Sequence, residues 1–415
     1  MRPNTPNLKP PAACEKAFKP LAKLVKWLYW LNREPTSWFR QLRGVIEVGK
    51  RMQAWELDAP EGLTLRERDV PKPGCSEVLV RIDAVAICAT DLDVIANGPP
   101  ALINGKLPFG QNFTPGHEYM GTIVGLGPEV DEYAVGERVA VEIHAGCGQC
   151  KRCRGGMYTS CLNYGRNYPG HDKGHRANGF TTNGGFAQYA INHINTLVRV
   201  PQGMSDAEAA LAVTAGTSMY GFTEMGGLVA GESVAIIGPG PIGLLAAAVA
   251  KALGADPVIL IGTRENRLQI GAKLGADSLL NARVTDPVEA VLAATGGKGV
   301  DYVMECAGTE QSINQAIHMC SRGGKICLAA FPHGLASIDL ARAVMNNIYM
   351  YGIRGEGKSA VSRAMALMKA RRFDATLIHT HSFGLEDLPE ALRHARERID
   401  GAIKVILTPN SNPNP

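Results

Sequence analysis

Four of the ten cysteines fall in one short stretch, Cys147-x2-Cys150-x2-Cys153-x7-Cys161. Thiolates at this spacing can close a tetrahedral shell around one zinc ion, and a shell made wholly of protein ligands leaves no position for a substrate. The stretch therefore predicts a structural zinc site. A redox pair would need an exposed, open couple of thiols instead. The other six cysteines are scattered. That favours thiolate–metal chemistry in a reducing compartment, the cytoplasm, over a disulfide framework.

A second chemistry is written in Gly238-Pro239-Gly240-Pro241-Ile242-Gly243. The apolar run Ser233–Ile237 precedes it and the helical run Leu244–Leu253 follows, which is the context a dinucleotide-binding turn requires. Gly238 permits the tight turn, Gly240 lets backbone approach a pyrophosphate, and Gly243 lets helix and strand pack closely. The helix N-terminus, with Ile242 in its first turn, offers free N–H groups to phosphate. The next strand leads into Gly262-Thr263-Arg264, where an NAD enzyme usually carries the carboxylate that binds the ribose 2′-hydroxyl. Arg264 can pair with a 2′-phosphate and Thr263 can donate to it, so NADP is favoured over NAD. Two other readings stay open: Arg264 stacking on adenine, and the adjacent Glu265 serving NAD.

These groups need elements to position them. From Met52 to about Ile194 the pattern is β-rich, with alternation over Val78–Ile82, short apolar runs at Gly121–Val124 and Arg138–Ile143, and Gly or Pro between them. From about Glu232 to Arg354, apolar strands at Ser233–Ile237, Pro257–Ile261, Val300–Glu305 and Lys325–Ala329 alternate with helical segments, the signature of a parallel sheet flanked by helices. Residues 358–415 read as helix, strand, helix, strand returning to the first unit. The expected fold class is α/β. A β-rich, barrel-like domain comes from residues 52–214 plus 356–415, and a doubly wound nucleotide-binding domain from 215–355, with a cleft between them.

Composition sets the outer bounds. With 415 residues, 45% hydrophobic and 20% charged, the chain suits a soluble protein of two domains. The longest apolar stretch, Val234 to Ile261, is broken by Gly238, Pro239, Gly240, Pro241, Lys251, Asp256 and Pro257, so it is no membrane span. The net charge of +4 conceals eleven Lys or Arg against three Asp or Glu in residues 1–51, which leaves the remainder net negative and gives no sign of a nucleic-acid partner. In that basic extension Phe18, Leu21, Leu24, Val25, Leu28 and Leu31 recur at helical spacing, and Trp27, Trp30 and Trp38 are three of the four tryptophans. Membrane-surface contact is one reading. An ordinary surface extension is another, and a native start at Met52, before Gln53-Ala54-Trp55, is a third.

In order and spacing, Ile87-Cys88-Ala89-Thr90-Asp91, Pro115-Gly116-His117-Glu118, the four-cysteine lobe, Gly238–Gly243 and Thr380-His381 form one set. Over about residues 52–410 the chain resembles the medium-chain zinc alcohol dehydrogenases, nearest the sorbitol and threonine dehydrogenase branch. The resemblance implies a GroES-like catalytic domain with a Rossmann domain, two zinc ions per chain, and a homodimer or homotetramer joined through an edge strand of the nucleotide domain. It also implies that Cys88, His117 and Glu118 belong to a catalytic zinc, Thr90 takes the alcohol proton, and Asp91 orients the ligating histidine. Zinc there would lower the pKa of a bound alcohol, which then gives a hydride to nicotinamide.

Two positions depart from the family pattern. Thr214 stands where a third protein ligand is expected, and neutral threonine is a poor zinc ligand. Either Glu118 binds zinc directly, or water completes the shell, or metal is held weakly. Asp93 replaces the relay histidine, so protons leave through Asp93 or straight to water. The leading function is zinc-dependent oxidation of a secondary or polyhydroxy alcohol to its ketone. The competing readings are a metal-free NADPH-dependent reductase of activated double bonds or quinones, and a non-catalytic nucleotide-binding or membrane-associated protein. Two long segments, Asn97–Thr114 and the polar, basic Asn163–Gly185, point to a polar, anionic or polyhydroxy substrate, or else to a solvated loop or subunit contact. Glycines around His171 and His175 argue against a helical metal pair there.

Overall fold

The computed structural model describes residues 49–98, 113–163, 176–180, 182–332, 334–357 and 359–410. The basic extension up to residue 48, the pair His171 and His175, and most of the two long segments singled out above lie outside the described residues.

In chain order the first elements are β1 (Arg51–Leu57), β2 (Leu63–Asp69), β3 (Glu77–Ala86), α1 (Ala89–Asn97), β4 (Glu118–Leu126), β5 (Arg138–Val141), β6 (His144–Gly146), α2 (Lys151–Arg154), β7 (Arg176–Ala177), β8 (Tyr189–His193), β9 (Leu197–Arg199) and α3 (Asp206–Met219). The middle of the chain gives β10 (Val234–Ile237), α4 (Pro241–Ala252), β11 (Val258–Gly262), α5 (Glu265–Lys273), β12 (Ser278–Asn281), α6 (Pro287–Ala294), β13 (Val300–Glu305), α7 (Glu310–Met319), β14 (Cys320–Leu328), α8 (Leu340–Met345) and β15 (Tyr349–Gly352). The chain closes with α9 (Ala360–Lys369), β16 (His379–Phe383), α10 (Leu388–Glu397) and β17 (Lys404–Leu407), the helix–strand–helix–strand order expected there.

Two sheets carry the architecture. The first runs β16-β17-β3-β4-β5-β9, with β8 also paired to β3. Its members come from both ends of the chain: β17 lies antiparallel to β3, with Ile406 opposite Ala86, and Ile87 N donates to Val405 O at 2.9 Å. The last strand is thus laid beside the segment that opens α1. The second sheet, ordered β12-β11-β10-β13-β14-β15, is parallel throughout. Its central strand β10, Val-Ala-Ile-Ile, is buried at every position, because helices on both faces leave no polar side to alternate with. Strands β11 and β12 step away from β10 in one direction, β13 to β15 in the other. The reversal between β10 and β13 opens a crevice at the carboxyl ends of the strands, where such sheets bind ligands.

Strand β14 begins earlier than the sequence pattern suggests. The run expected at Lys325–Ala329 is extended back to Cys320, which is paired with Val300, and a register shift before Lys325 absorbs the extra residues. Helix α3 starts on a reciprocal cap: Glu208 N donates to Ser205 Oγ at 3.2 Å and Ser205 N to Glu208 Oε2 at 2.8 Å. It then runs unbroken through Thr214 and Ala215. Leu211, Ala215 and Met219 of α3 share one apolar cluster with Met120 of β4 and Val234 and Ile236 of β10, so a single helix ties the two sheets together. Among the described residues no helix is long and apolar enough to cross a membrane.

The turn after β10 shows why its glycines matter. Gly238 sits at φ 103°, a region that favours glycine. A Cβ on Gly243 would lie 2.0 Å from the carbonyl oxygen of Gly238. Gly243→Ala must therefore push helix from strand. The expected cost is about 2 kcal/mol of stability, with at least tenfold weaker nicotinamide-nucleotide binding. Thermal melting and fluorescence titration check this, and parental values in both would contradict it.

Candidate active site

The site grows from the start of α1. Cys88 is the N-cap, and Asp91, three residues on, accepts from Cys88 N through Oδ2 at 2.9 Å. The other oxygen of Asp91 lies 2.8 Å from His117 Nδ1. One buried carboxylate thus caps the helix and orients the imidazole. A carboxylate only accepts, so in the neutral ring Nδ1 carries the proton and Nε2 the lone pair. Burial alone would disfavour the imidazolium, but Asp91 and Cys88 outweigh it and hold the His117 pKa well above its ordinary value. Gly116, at φ 89°, turns the chain into β4, and Phe180 packs on the His117 ring at 4.7 Å between centroids. Thr90 Oγ1 is 3.8 Å from Cys88 Sγ, and Asp93 is on the exposed side of α1.

Glu118, the first residue of β4, is buried, and so is Lys404, the first residue of β17. Lys404 Nζ forms an ion pair with Glu118 Oε2 and donates to Ile87 O at 3.2 Å. Burial pushes both groups towards neutrality, but each charge holds the other: Glu118 titrates below its ordinary range and Lys404 above. Thr214, inside α3, donates to the same Glu118 oxygen at 2.9 Å. The structure therefore places Thr214 against a carboxylate. Glu118 Oε1 takes no hydrogen bond among the described residues.

Cys88, His117 and Glu118 each bring a ligand atom within 4.8 Å of the others. A thiol, an imidazole with its proton committed elsewhere, and a carboxylate make a donor set that fits zinc. Cys147, Cys150, Cys153 and Cys161 gather within the same spread. Cys150 and Cys153 Sγ are 3.4 Å apart, far beyond a disulfide bond. N–H groups converge on the sulfurs: Cys150 N on Cys147 at 3.4 Å, Asn163 Nδ2 on Cys147 at 3.0 Å, and Leu162 N on Cys150 at 3.5 Å. Burial opposes ionisation of Cys150, but the N–H donors of Cys153 and Leu162 draw it down to about 6. Cys147 is lowered as well, whereas burial raises Cys153 and Cys161; the four sulfurs together fit an ion with no open position.

Sequence reasoning missed a pair of buried acids. Glu142 and Glu356 are both buried, and Ile143 N donates to Glu356 Oε1 at 2.5 Å. Glu142 Oε1 and Glu356 Oε2 have no partner among the described residues. Burial raises both carboxyls, Glu142 further through Glu356, and Glu356 reaches about 7. After burial and the Ile143 donor, the charge of His117 lowers Glu356 and that of Glu118 raises it. The available signals were single charges in apolar surroundings: Glu142 between Val141 and Ile143, and Lys404 opening Val405-Ile406-Leu407.

Past the carboxyl end of β10, Gly240 caps α4 without a side chain and Pro241 follows at its first position. A Cβ on Gly240 would meet nothing within 4 Å, which leaves room for a pyrophosphate at the helix N-terminus. Ile242 lies in that first turn and accepts from Ser218 Oγ through its carbonyl at 3.1 Å. Thr263 is exposed and Arg264 half-buried just past β11. Burial, then Arg398 and Arg283, lower the Arg264 pKa, and burial with Arg264 and Arg398 brings Arg267 to about 10. Among the described residues, no carboxylate pairs with any of these four guanidinium groups. Glu265 instead accepts from Gln269 Nε2 at 2.8 Å and Asn281 Nδ2 at 3.4 Å.

Comparison with known proteins gives consistent matches. Residues 74–202 match the family described as alcohol dehydrogenase GroES-like domain, and residues 241–370 the family described as zinc-binding dehydrogenase. L-threonine 3-dehydrogenase of Pyrococcus furiosus is 34% identical over 367 residues, covering 87% of this chain and all of the relative. A zinc-binding dehydrogenase of Sinorhizobium meliloti bound to NADP superposes with a TM-score of 0.76 at 26% identity, over 87% of this chain and all of that one. The 2R,3R-butanediol dehydrogenase of Bacillus subtilis does so at the same TM-score and identity, over 86% of this chain and all of that one.

The acidic pair makes a prediction about pH. Glu356 in the folded protein holds its proton to about pH 7, against an ordinary 4.5. Its contribution to stability is thus complete below about pH 4.5 and lost as pH rises through 7, by up to about 3 kcal/mol. Glu356→Gln should gain thermal stability over wild type as pH is raised from 5 to 8. Parallel melting curves across that range would contradict the assignment.

Proposed function

We propose, from the premise that this chain belongs to the zinc-dependent medium-chain alcohol dehydrogenase family, that it oxidises a small, polar secondary alcohol with NADP at a zinc held by Cys88, His117 and Glu118. That it is a zinc-dependent dehydrogenase moving a hydride between an alcohol and NAD(P) follows from its family. The finer reading is carried by one observation, the convergence of those three ligand atoms with Asp91 behind the imidazole.

A zinc ion held by Cys88, His117 and Glu118 would supply the Lewis acidity that brings an alcohol pKa towards neutrality, and a bound nicotinamide would supply the hydride acceptor. The remaining roles belong to the chain. Asp91 keeps the proton on His117 Nδ1, so that Nε2 faces the metal. Lys404 and Thr214 hold one oxygen of Glu118, which leaves Oε1 as the third protein ligand in place of the residue that Thr214 replaces. Thr90, beside Cys88, takes the alcohol proton, and the exposed Asp93 one turn on passes it to water. Glu142 and Glu356 offer unpaired oxygens to hydroxyl or ammonium groups elsewhere on the substrate, which favours polyols or amino alcohols. Cys147, Cys150, Cys153 and Cys161 hold a second, structural zinc.

Residues 52–214 with 356–415 serve catalysis, and 215–355 serve the nucleotide. Gly238, Gly240, Ile242 and Gly243 take the pyrophosphate, and Thr263 and Arg264 a 2′-phosphate. The unpaired guanidiniums of Arg264, Arg283 and Arg398 and the diversion of Glu265 support NADP over NAD. Edge strand β15, with Tyr349 exposed and Leu340, Val344 and Met345 exposed on α8, supports assembly into a homodimer or homotetramer.

Steady-state kinetics across polyols, amino alcohols and simple aliphatic alcohols, with both nucleotides, test the reading. Polar secondary alcohols should be turned over best. Arg264→Ala should raise KM for NADP at least tenfold and leave KM for NAD within about twofold. Equal losses for both nucleotides would remove the NADP assignment, and no turnover of any alcohol would remove the function.

A further inference from the structure

Away from the proposed active site, three elements of the closing segment bring metal-binding groups together. His381 lies in the middle of β16, the edge strand of the first sheet. His394 lies in the last turn of α10, and Asp400 in the short turn Ile399–Gly401 that leads towards β17. A ligand atom of each lies within 4.8 Å of the others, the same spread as Cys88, His117 and Glu118.

Each group is prepared for a cation in its own way. His394 Nδ1 is 3.1 Å from the Glu390 carbonyl oxygen and 3.1 Å from Glu390 Oε1. A carbonyl accepts and cannot donate, so Nδ1 carries the proton and the neutral ring presents the Nε2 lone pair. This is the arrangement that Asp91 imposes on His117, a hydrogen bond behind the ring that fixes which nitrogen can ligate. His381 Nδ1 is buried with no hydrogen-bond partner among the described residues, a polar atom left without compensation. Asp400 is exposed, and its carboxylate takes part in no hydrogen bond or ion pair among the described residues. The rings of His381 and His394 stand 5.2 Å apart at 55°, and Phe383 packs on His394 at 5.0 Å.

We propose that His381, His394 and Asp400 form a further divalent metal site, separate from the cysteine lobe and from the Cys88 centre. Two imidazoles and a carboxylate select a borderline ion of the zinc, cobalt or nickel type over magnesium or calcium. With three protein ligands and water completing the shell, the ion is exchangeable. Bound at this position, it clasps the edge strand, the helix end and the turn that delivers Lys404 to Glu118. Arg398, two residues before Asp400, belongs to the guanidinium group beside the nucleotide turn.

The test uses the full chain purified with its resident zinc. Co2+ is titrated into wild type, His394→Gln and Asp400→Asn, with calorimetry and elemental analysis after desalting. Wild type should take up one ion per chain more than His394→Gln, and Asp400→Asn should bind that ion at least tenfold more weakly. A visible cobalt spectrum of the added ion should lack the intense thiolate charge-transfer bands that a Cys88 or lobe site would give. Equal uptake with equal affinity in all three proteins overturns the proposal, as does an added ion with thiolate bands. The readout is a difference between wild type and variants, so it is independent of what the Cys88 centre holds. Asp400→Asn alters only an exposed side chain, so it decides the matter should His394→Gln fail to fold.

Discussion

The pair Lys404–Glu118 places two full charges where water does not reach, next to a thiol and an imidazole. Neither charge is tolerable there alone, because removing one partner of a buried pair leaves the other uncompensated. The pairing therefore constrains everything around it. Strand β17 must lie against the end of β3, so that Lys404 meets Glu118 and the Ile87 carbonyl together. Thr214 must face inward from α3 to give the carboxylate its second donor. Lys404, 317 residues beyond the Ile87 carbonyl it binds, is as much part of the site as the residues that carry the chemistry.

The same economy governs the rest of the centre. Asp91 commits one oxygen to the cap of α1 and the other to His117, so a local helix-start signal also fixes a ligand's orientation. The parallel sheet presents its glycine turn at the reversal of strand order, and α3 belongs to the cores of both sheets. Distance between the metal ligands and the nucleotide turn is thereby set by a rigid helix rather than by a loop.

Much of this was legible in the residues. The glycine turn is bounded by an apolar strand and a helical run, so its structure follows from local pattern, and β10 and α4 appear where that pattern puts them. Spacing alone brings the four cysteines into one cluster, and the Cys88–Asp91 cap is a three-residue relation. What could not be read depends on distant pairing. Nothing local says that Lys404 meets Glu118, that Glu142 lies near Glu356, or that Thr214 hydrogen-bonds the neighbouring ligand. Likewise the apolar run marks β14 only from Lys325, and its extension back to Cys320 depends on pairing with Val300 of β13.

The central claim is that Cys88 is a ligand of a zinc ion on which alcohol oxidation depends, distinct from the ion of the cysteine lobe. The most direct test is the zinc content and alcohol turnover of a Cys88→Ser protein with native melting behaviour. One zinc fewer per chain than wild type is expected, with turnover reduced by a factor on the order of a thousand or more. Unchanged zinc content together with intact turnover would contradict it.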